Sequence, residues 1–391
     1  MYAEQSHSTP SSPHPIKAGH VPGAEMKITS IPAKSSLQLL LRITPIVTAL
    51  ILAIPSRAQS SPFTIFDVPG AGTGVLQGTL AIGRNNSGAI VGFTRDANNV
   101  RHGFVRAANG TVVVFDVPAA GKNANQGTRA YGINAGGDVT GYISDSNGVF
   151  RGFLRNSSGA FTIFDVPGAG TGNRQGTISR HINNAGTIAG TYVDSGNVTH
   201  GYVRAANGTI TTFDPPGSVH TTTGGINAAG VIAGFYLDAS GVNHGFVRSA
   251  NGTISSFDAP GALNTAVAGF TCINAAGTVV GNYLDENLVY RGFVRTARGT
   301  FTTFAVPSAS TGAFQGSFPT SIDAAGEVTG NYTDPSNKIL GFVRSGNGIV
   351  NTVNPSNAGS GIFPQDIDAG GVVTGYYGDV NGMYHGFTFK D

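Results

Sequence analysis

Histidine, arginine and glutamine supply most of the chemistry this chain could perform, and their spacing separates repeated from singular positions. His102, His200, His244 and His385 recur at one position of a pattern, and Arg151 and Arg291 fill it in two other copies. A metal ligand does not interchange with a cation, so this set reads as amphipathic residues flanking a strand. His181 and His220 stand outside the pattern. With Arg129, Arg174 or Arg180 they could supply proton transfer and anion stabilisation, the equipment of a lyase or hydrolase. Two histidines without acidic partners do not define a zinc site, so no metal and no cofactor is expected. Cys272 is the only cysteine. It precedes Ile273 in a predicted strand, where a buried, inert thiol is expected rather than a nucleophile.

Other catalytic patterns are missing from the sequence. There is no Gly-x-Ser-x-Gly. After residue 59 the only glutamates are Glu286 and Glu327, and the aspartates mostly occupy repeated positions, so no glycosidase carboxylate pair stands out. Seven aspartates, Asp96, Asp145, Asp194, Asp238, Asp285, Asp334 and Asp379, each stand seven residues before a glycine followed by an aromatic or hydrophobic strand. Asp-Ser-Asn-Gly at 145–148 opens like a calcium loop but lacks the later carboxylates such a loop needs. An aspartate opening a tight turn and bonding its own backbone explains all seven.

The elements that position these residues follow from a repeat of about 47 residues present seven times. Each copy reads Ile-Asn-x-x-Gly, a strand, the aspartate, Gly-Phe-Val-Arg, a turn, and Phe-Asp-Val-Pro-Gly. The Gly-Phe element begins at Gly103, Gly152, Gly201, Gly245, Gly292, Gly341 and Gly386. Four strand signals per copy predict an all-β protein, a seven-bladed β-propeller of four-stranded antiparallel blades over residues 59–391. The first copy starts with a Phe-Asp strand (63–68) that has no partner before it. The last copy ends in Gly386–Phe389 without a Phe-Asp strand after it. Pairing of these two would close the ring. Asn109-Gly110, Asn207-Gly208, Asn251-Gly252 and Asn347-Gly348 have the composition of two-residue type I′ turns. That register places Phe104 opposite Phe115, Phe153 opposite Phe164, Tyr202 opposite Phe213, Phe246 opposite Phe257, Phe293 opposite Phe304, and Phe387 opposite Phe66. The aromatics are expected to pack blade against blade.

The spacing from Ile-Asn to the next Phe-Asp is constant, whereas the connection from Phe-Asp to the next Ile-Asn varies in length. All length variation therefore falls on one face, shared with the aspartate turns, which is where repeat proteins usually bind. The candidate binding face collects Gln77, Arg84, Lys122, Gln126, Arg129, Arg174, Gln175, Arg180, His181, His220, Gln315 and Asp366. The plainer alternative is that Gln-Gly-Thr satisfies the backbone of a long loop and the charges are solvated.

Composition narrows the partners. Charged residues make up 11 % of the chain, against roughly 25 % in ordinary soluble domains. Five basic and two acidic residues precede residue 59, leaving 18 basic and 19 acidic beyond it, a formal charge of −1. A near-neutral domain without a basic stripe does not suit nucleic acid or an anionic membrane. Residues 1–58 read as a leader. An apolar run at 43–54 follows Lys27, Lys34 and Arg42, with Ser56-Arg57-Ala58 after it, as in a signal peptide cut after Ala58 and started at Met26. Twelve apolar residues are too few to span a membrane as a helix.

The His-Gly-Phe that follows an Asp-x-x-Gly-type turn, as in Asp238–Phe246 and Asp379–Phe387, resembles the HAF-repeat family of bacterial extracellular proteins. The Ile-Asn-x-x-Gly turn does too, with glycine where the family has alanine. The resemblance spans residues 63–391. It implies export and a propeller-like repeat, and it brings no catalytic residues. The expected protein is a secreted, periplasmic or cell-surface monomer that binds a protein or glycan through its variable loops. The alternative is a lyase or hydrolase with its site at the mouth of a central channel.

Overall fold

A computed structural model describes residues 62–390, with 268 and 270 excepted. The chain divides into two units at Ser60/Ser61, and the described residues lie in the second. The leader, with its apolar run, its start at Met26 and its cleavage site, lies outside the described residues.

The second unit contains strands and no helix among the described residues. Its strands group in fours. Gly78–Arg84, Ile90–Arg95, Arg101–Arg106 and Val112–Phe115 pair antiparallel in sequence order. The second group is Gly127–Ile133, Val139–Ser144, Phe150–Arg155 and Phe161–Phe164. The third is Gly176–Ile182, Ile188–Val193, Thr199–Arg204 and Ile210–Phe213. The fourth runs Ser218–Ile226, Ile232–Asp238, Asn243–Arg248 and Ile254–Phe257. The fifth is Asn264–Ala266, Val279–Leu284, Tyr290–Arg295 and Phe301–Phe304. The sixth is Ser317–Ile322, Val328–Thr333, Ile339–Arg344 and Val350–Val353. Ala358–Ile367, Val372–Asp379 and Tyr384–Lys390 form three strands of the seventh. Its fourth strand comes from the other end of the domain: Phe63–Phe66 pairs antiparallel with Phe389–Gly386. The two half-copies meet as the sequence predicted.

The hairpin register differs from expectation by one residue. Phe115 lies opposite Gly103, and Phe104 opposite Val114. Likewise Phe164 faces Gly152, Phe213 faces Gly201, Phe257 faces Gly245, Phe304 faces Gly292, and Phe66 faces Gly386, while Phe387 faces Ile65. The predicted opposition of Phe153 to Phe164, Tyr202 to Phe213, Phe246 to Phe257 and Phe293 to Phe304 fails for the same reason. The turn is a three-residue loop. Gly110 N–H donates to the Ala107 carbonyl at 2.9 Å and Ala107 N–H to the Thr111 carbonyl at 2.8 Å. Gly110 alone has a left-handed φ, +91°, and Asn109 does not. This is a type I turn closed by a glycine bulge, not a type I′ turn, and the extra residue moves the partner by one. A one-residue shift changes which face each side chain occupies.

That shift decides the packing. A Cβ on Gly103 would lie 2.7 Å from the Phe115 ring, and one on Gly92 would lie 2.9 Å from the Phe104 ring. The glycines make room for rings on opposite faces of the sheet. Phe104, Phe153, Tyr202, Phe246, Phe293, Phe342 and Phe387 are fully buried, one per group. The fourth-strand phenylalanine of one group meets that core ring of the next edge-on, as Phe115 meets Phe153 with centroids 6.2 Å apart. The arginine of Gly-Phe-Val-Arg then lies over the preceding group's phenylalanine, Arg155 over Phe115 at 5.1 Å and Arg248 over Phe213 at 5.0 Å. The aromatics do pack group against group, as read from the repeat. At the seam from sixth to seventh group, Val353 and Phe389 stand at the phenylalanine and arginine positions.

Asparagines bind the opposite ends of these strands. Asn183 Oδ1 accepts the N–H groups of Ala185 and Thr187, and its Nδ2 donates to the Asn227 carbonyl at 3.2 Å. The same side-chain link runs from Asn85 to Asn134, Asn134 to Asn183, Asn227 to Asn274 and Asn274 to Asp323. Only an amide can close its own turn and also donate to its neighbour. The sixth and seventh copies have Asp323 and Asp368, which accept but cannot donate when ionised.

Candidate functional site

The variable connections are built on their glutamines. Gln175 Oε1 accepts the Gly172 N–H, while its Nε2 donates to the Ser195 carbonyl and Asn197 Oδ1 at 3.1 and 3.0 Å. Gln77 links Gly74 to the Ala97 carbonyl, and Gln126 links Asn123 to the Ser146 carbonyl. Gln315 bonds Ser310 and Asn337. Each glutamine thus fastens its connection to the aspartate turn of the group that follows. These four glutamines organise the loop.

The residue before each glutamine fastens the loop the other way. Leu76, Asn125, Arg174 and Phe314 have φ of 61°, 68°, 64° and 61°. Their N–H groups donate to Gly382, Asn99, Gly148 and Leu288 in the preceding group's turn. A left-handed conformation costs a residue with a Cβ roughly 1–2 kcal/mol. The two-sided hydrogen bonding holds it, and the side chain projects outward: Leu76 is 50 % and Phe314 61 % exposed. Val75 and Val380 are also exposed, and a Cβ on Gly382 would lie 3.2 Å from Val75. Sequence inspection missed these apolar positions because nothing in Val-Leu-Gln-Gly or Ala-Phe-Gln-Gly signals a left-handed backbone.

The repeated aspartates do close their turns. Asp194 Oδ1 accepts the N–H groups of Gly196 and Val198 at 2.8 Å each. Its second oxygen faces His200 Nε2 at 3.4 Å, and His200 Nδ1 meets Asp214, the aspartate of Phe-Asp, at 2.7 Å. His102, His244 and His385 bridge Asp96 to Asp116, Asp238 to Asp258 and Asp379 to Asp67. Arg151 pairs with Asp165, and Arg291 with Asp285. Burial lowers the basicity of His200, but the two carboxylates outweigh it and raise its pKa above the ordinary value.

The candidates do not all share one face. Gln77, Lys122, Gln126, Arg129, Arg174, Gln175, His220 and Gln315 lie in the connections or near the start of first strands. Arg84 ends the strand Gly78–Arg84, and Arg180, His181 and Asp366 lie toward the far end of theirs. The variable stretch from Phe-Asp to Ile-Asn includes the first strand of each group, and that strand carries these four residues away from the connections. His220 Nδ1 accepts the Thr199 N–H at 3.2 Å, and His181 is buried. The structure does not bring the two histidines together with an arginine and a carboxylate. Among the described residues no three acidic, histidine or cysteine groups could hold a metal. Cys272 is buried, which pushes its thiol pKa up.

Two clusters do form at the inner strands. Asp366 is buried. It accepts the Arg84 N–H at 2.8 Å, Ser321 Oγ at 3.0 Å and the Ile367 N–H at 3.0 Å, and burial raises its pKa despite these donors. Arg84 Nε reaches Asp368. The second cluster is built on bulges. Each first strand of the second and third groups carries one extra residue, Tyr131 and Arg180, between its paired neighbours. A bulge re-aims its side chain. Arg180 lies over the Tyr131 ring at 5.4 Å, Tyr131 stacks on Tyr142 at 5.5 Å, and Arg129 lies over Tyr142 at 5.0 Å.

No family model matches the chain, and no curated protein matches it in sequence. Solved structures do. Virginiamycin B lyase from Staphylococcus aureus is similar over 84 % of this chain and all of its own, with 13 % identity and a TM-score of 0.53. The β-propeller domain of the Trilobed protease from Pyrococcus furiosus is similar over 80 % of this chain and 96 % of its own, with 8 % identity and a TM-score of 0.52. The fold is a β-propeller. At such identities the likeness concerns the fold alone, and propellers serve unrelated chemistries. No helix among the described residues is long and apolar enough to cross a membrane.

Proposed function

We propose that the seven groups form a closed seven-bladed propeller, sealed by Phe63–Phe66, that is exported and acts as a non-catalytic binding scaffold. Its partner is a protein that docks on the variable-loop face. The observation that carries this reading is the outward display of Leu76 and Phe314 on a backbone held left-handed at both sites. Strain of that kind persists only where the surroundings enforce it, and it concentrates at binding sites. Exposed apolar side chains rimmed by polar loops suit protein docking. The resemblance to HAF-repeat proteins and the signal-like leader support export. The dispersal of His181, His220, Arg174 and Arg84 gives the lyase or hydrolase alternative no support.

The test is a pull-down from the extracellular fraction with the wild-type chain and with Leu76→Asp plus Phe314→Asp. A specific protein retained by the wild type and lost with the double variant, at an unchanged unfolding midpoint, supports the reading. Retention by both would move the interface elsewhere. Retention of glycan alone would replace the protein partner with a saccharide.

A further inference from the structure

The arginine-over-phenylalanine contact recurs between neighbouring groups and is missing at one seam. Arg106 lies over Phe66 at 4.6 Å, Arg204 over Phe164 at 4.9 Å, Arg295 over Phe257 at 4.4 Å and Arg344 over Phe304 at 4.8 Å. With the Arg155 and Arg248 pairs, six seams are built alike. The guanidinium also donates to the carbonyl of the residue after it, as Arg155 Nη1 does to Asn156 and Arg344 Nη1 to Ser345. Between the sixth and seventh groups Val353 and Phe389 hold the ring and arginine positions, and both are buried. Lys390 follows Phe389, at the place that Asn156 takes in its group. A cavity of about 180 Å³ opens there, lined by Glu327, Val343, Ile349 and Asn351 of the sixth group and by Gly371 and Lys390 of the seventh. It occupies the part of the seam that a guanidinium fills elsewhere.

The lining suits the group that this seam lacks. Glu327 lies against the turn of the seventh group, its Oε2 2.9 Å from where a Cβ on Gly371 would stand. A carboxylate has about four lone-pair sites, so it can accept from a ligand as well as from a neighbour. Val343 adds an apolar wall, and a guanidinium is more weakly hydrated than an ammonium and better suited to one. The Lys390 ammonium lines the same cavity and favours an anionic group beside the cation. The volume falls below the roughly 300–1,000 Å³ of drug-sized pockets and fits a ligand the size of one amino acid. We propose that this seam binds a small ligand carrying both a guanidinium and a carboxylate: arginine itself or the carboxyl-terminal arginine of a peptide. The guanidinium takes the place that a chain arginine holds at the other seams, against Glu327, and the carboxylate meets Lys390. The site lies at the strand ends opposite the variable loops and stands independently of the protein partner proposed there.

Calorimetric titration of the full chain with L-arginine tests this, with L-citrulline as the uncharged isostere and agmatine as the analogue lacking the carboxylate. Saturable binding of L-arginine is expected, at least tenfold tighter than that of either analogue. Glu327→Gln should weaken it at least tenfold, and Lys122→Gln, in a variable loop, should leave it unchanged. The dipeptide Gly-Arg separates the two sources: binding as tight as that of arginine assigns a peptide carboxyl terminus, and weaker binding assigns the free amino acid. Should Glu327→Gln fail to fold, Ile349→Arg decides. Ile349 is 60 % exposed, so the change spares the core. It supplies a tethered guanidinium at the cavity and should abolish binding. No saturable binding of L-arginine, equal binding of L-citrulline or of agmatine, or undiminished binding by Ile349→Arg overturns the proposal.

Discussion

Arg84 Nε donates to Asp368 Oδ2 at 2.5 Å, joining residues from the two ends of the domain. Arginine replaces the isoleucine of Ile-Asn in the first copy alone, which meets the seventh, where Asp368 stands in place of asparagine. The amide link that joins the first group through to the sixth is replaced here by an ion pair.

Arg84→Ile restores the repeat's usual residue but leaves Asp368, only 7 % exposed at its side chain, without its cation. Removing one partner of a buried pair costs about 3 kcal/mol. The double change Arg84→Ile with Asp368→Asn supplies an amide that can donate across the seam, and it should recover at least half of the loss. Denaturant unfolding followed by tyrosine fluorescence, in a chain with no tryptophan, measures both.

Asn183 separates two roles. Asn183→Asp keeps the acceptor for Ala185 and Thr187 but loses the donor to Asn227, and should cost about 1 kcal/mol. Asn183→Ala loses both and should cost about 2–3 kcal/mol by the same reasoning. Equal losses in chemical denaturation would show that the link between groups contributes nothing.

Gly103→Ala places a methyl carbon 2.7 Å from the Phe115 ring, a distance that real Cβ atoms do not tolerate. Overpacking of that kind costs about 1–3 kcal/mol. Phe115→Leu in the same chain should relieve part of it. A thermal midpoint unchanged by Gly103→Ala would contradict the observed register.

His200 and Asp194 make stability depend on pH in opposite senses. His200 has a raised pKa, so its contribution is complete below the ordinary histidine value of 6.5 and disappears as pH rises through the raised value. Asp194 is held low, chiefly by the Val198 N–H, so its contribution is present above the ordinary carboxylate value and is lost as pH falls through the lowered one. His200→Gln should flatten the first limb and reduce the second only by the part that His200 supplies, leaving the part held by the Val198 and Gly196 N–H groups. Urea midpoints across pH 5 to 9 show the difference, and an NMR titration of His200 should place its midpoint above that of a free histidine.

Much of this was legible in one dimension. The recurrence of Gly-Phe-Val-Arg and Phe-Asp located four strands per copy, and the unmatched strands at 63 and 386 foretold their pairing. Asp-opened turns were read correctly because one side chain bonding its own backbone is a local event. The register was not local in that sense. Asn-Gly serves both a type I′ turn and a type I turn with a glycine bulge, and only φ at Asn109 tells them apart. The Tyr131–Arg180 contact was equally hidden, since a bulge leaves no mark in residue type. Arg84 and Asp366 fall with the loops in sequence because the variable stretch from Phe-Asp to Ile-Asn also contains the first strand of each group.

The pairing of Phe63–Phe66 with Gly386–Phe389 sets a schedule for the chain's birth. Phe66 is made 320 residues before its partner Gly386. At roughly 5–20 residues per second, the opening strand waits on the order of 15 to 60 seconds before its partner exists. Through that interval the seventh group has no third strand, and any complete ring must await the end of synthesis. A nascent chain stalled short of residue 386 therefore keeps an unmated Phe-Thr-Ile-Phe edge, available to a chaperone or to another copy in the same condition.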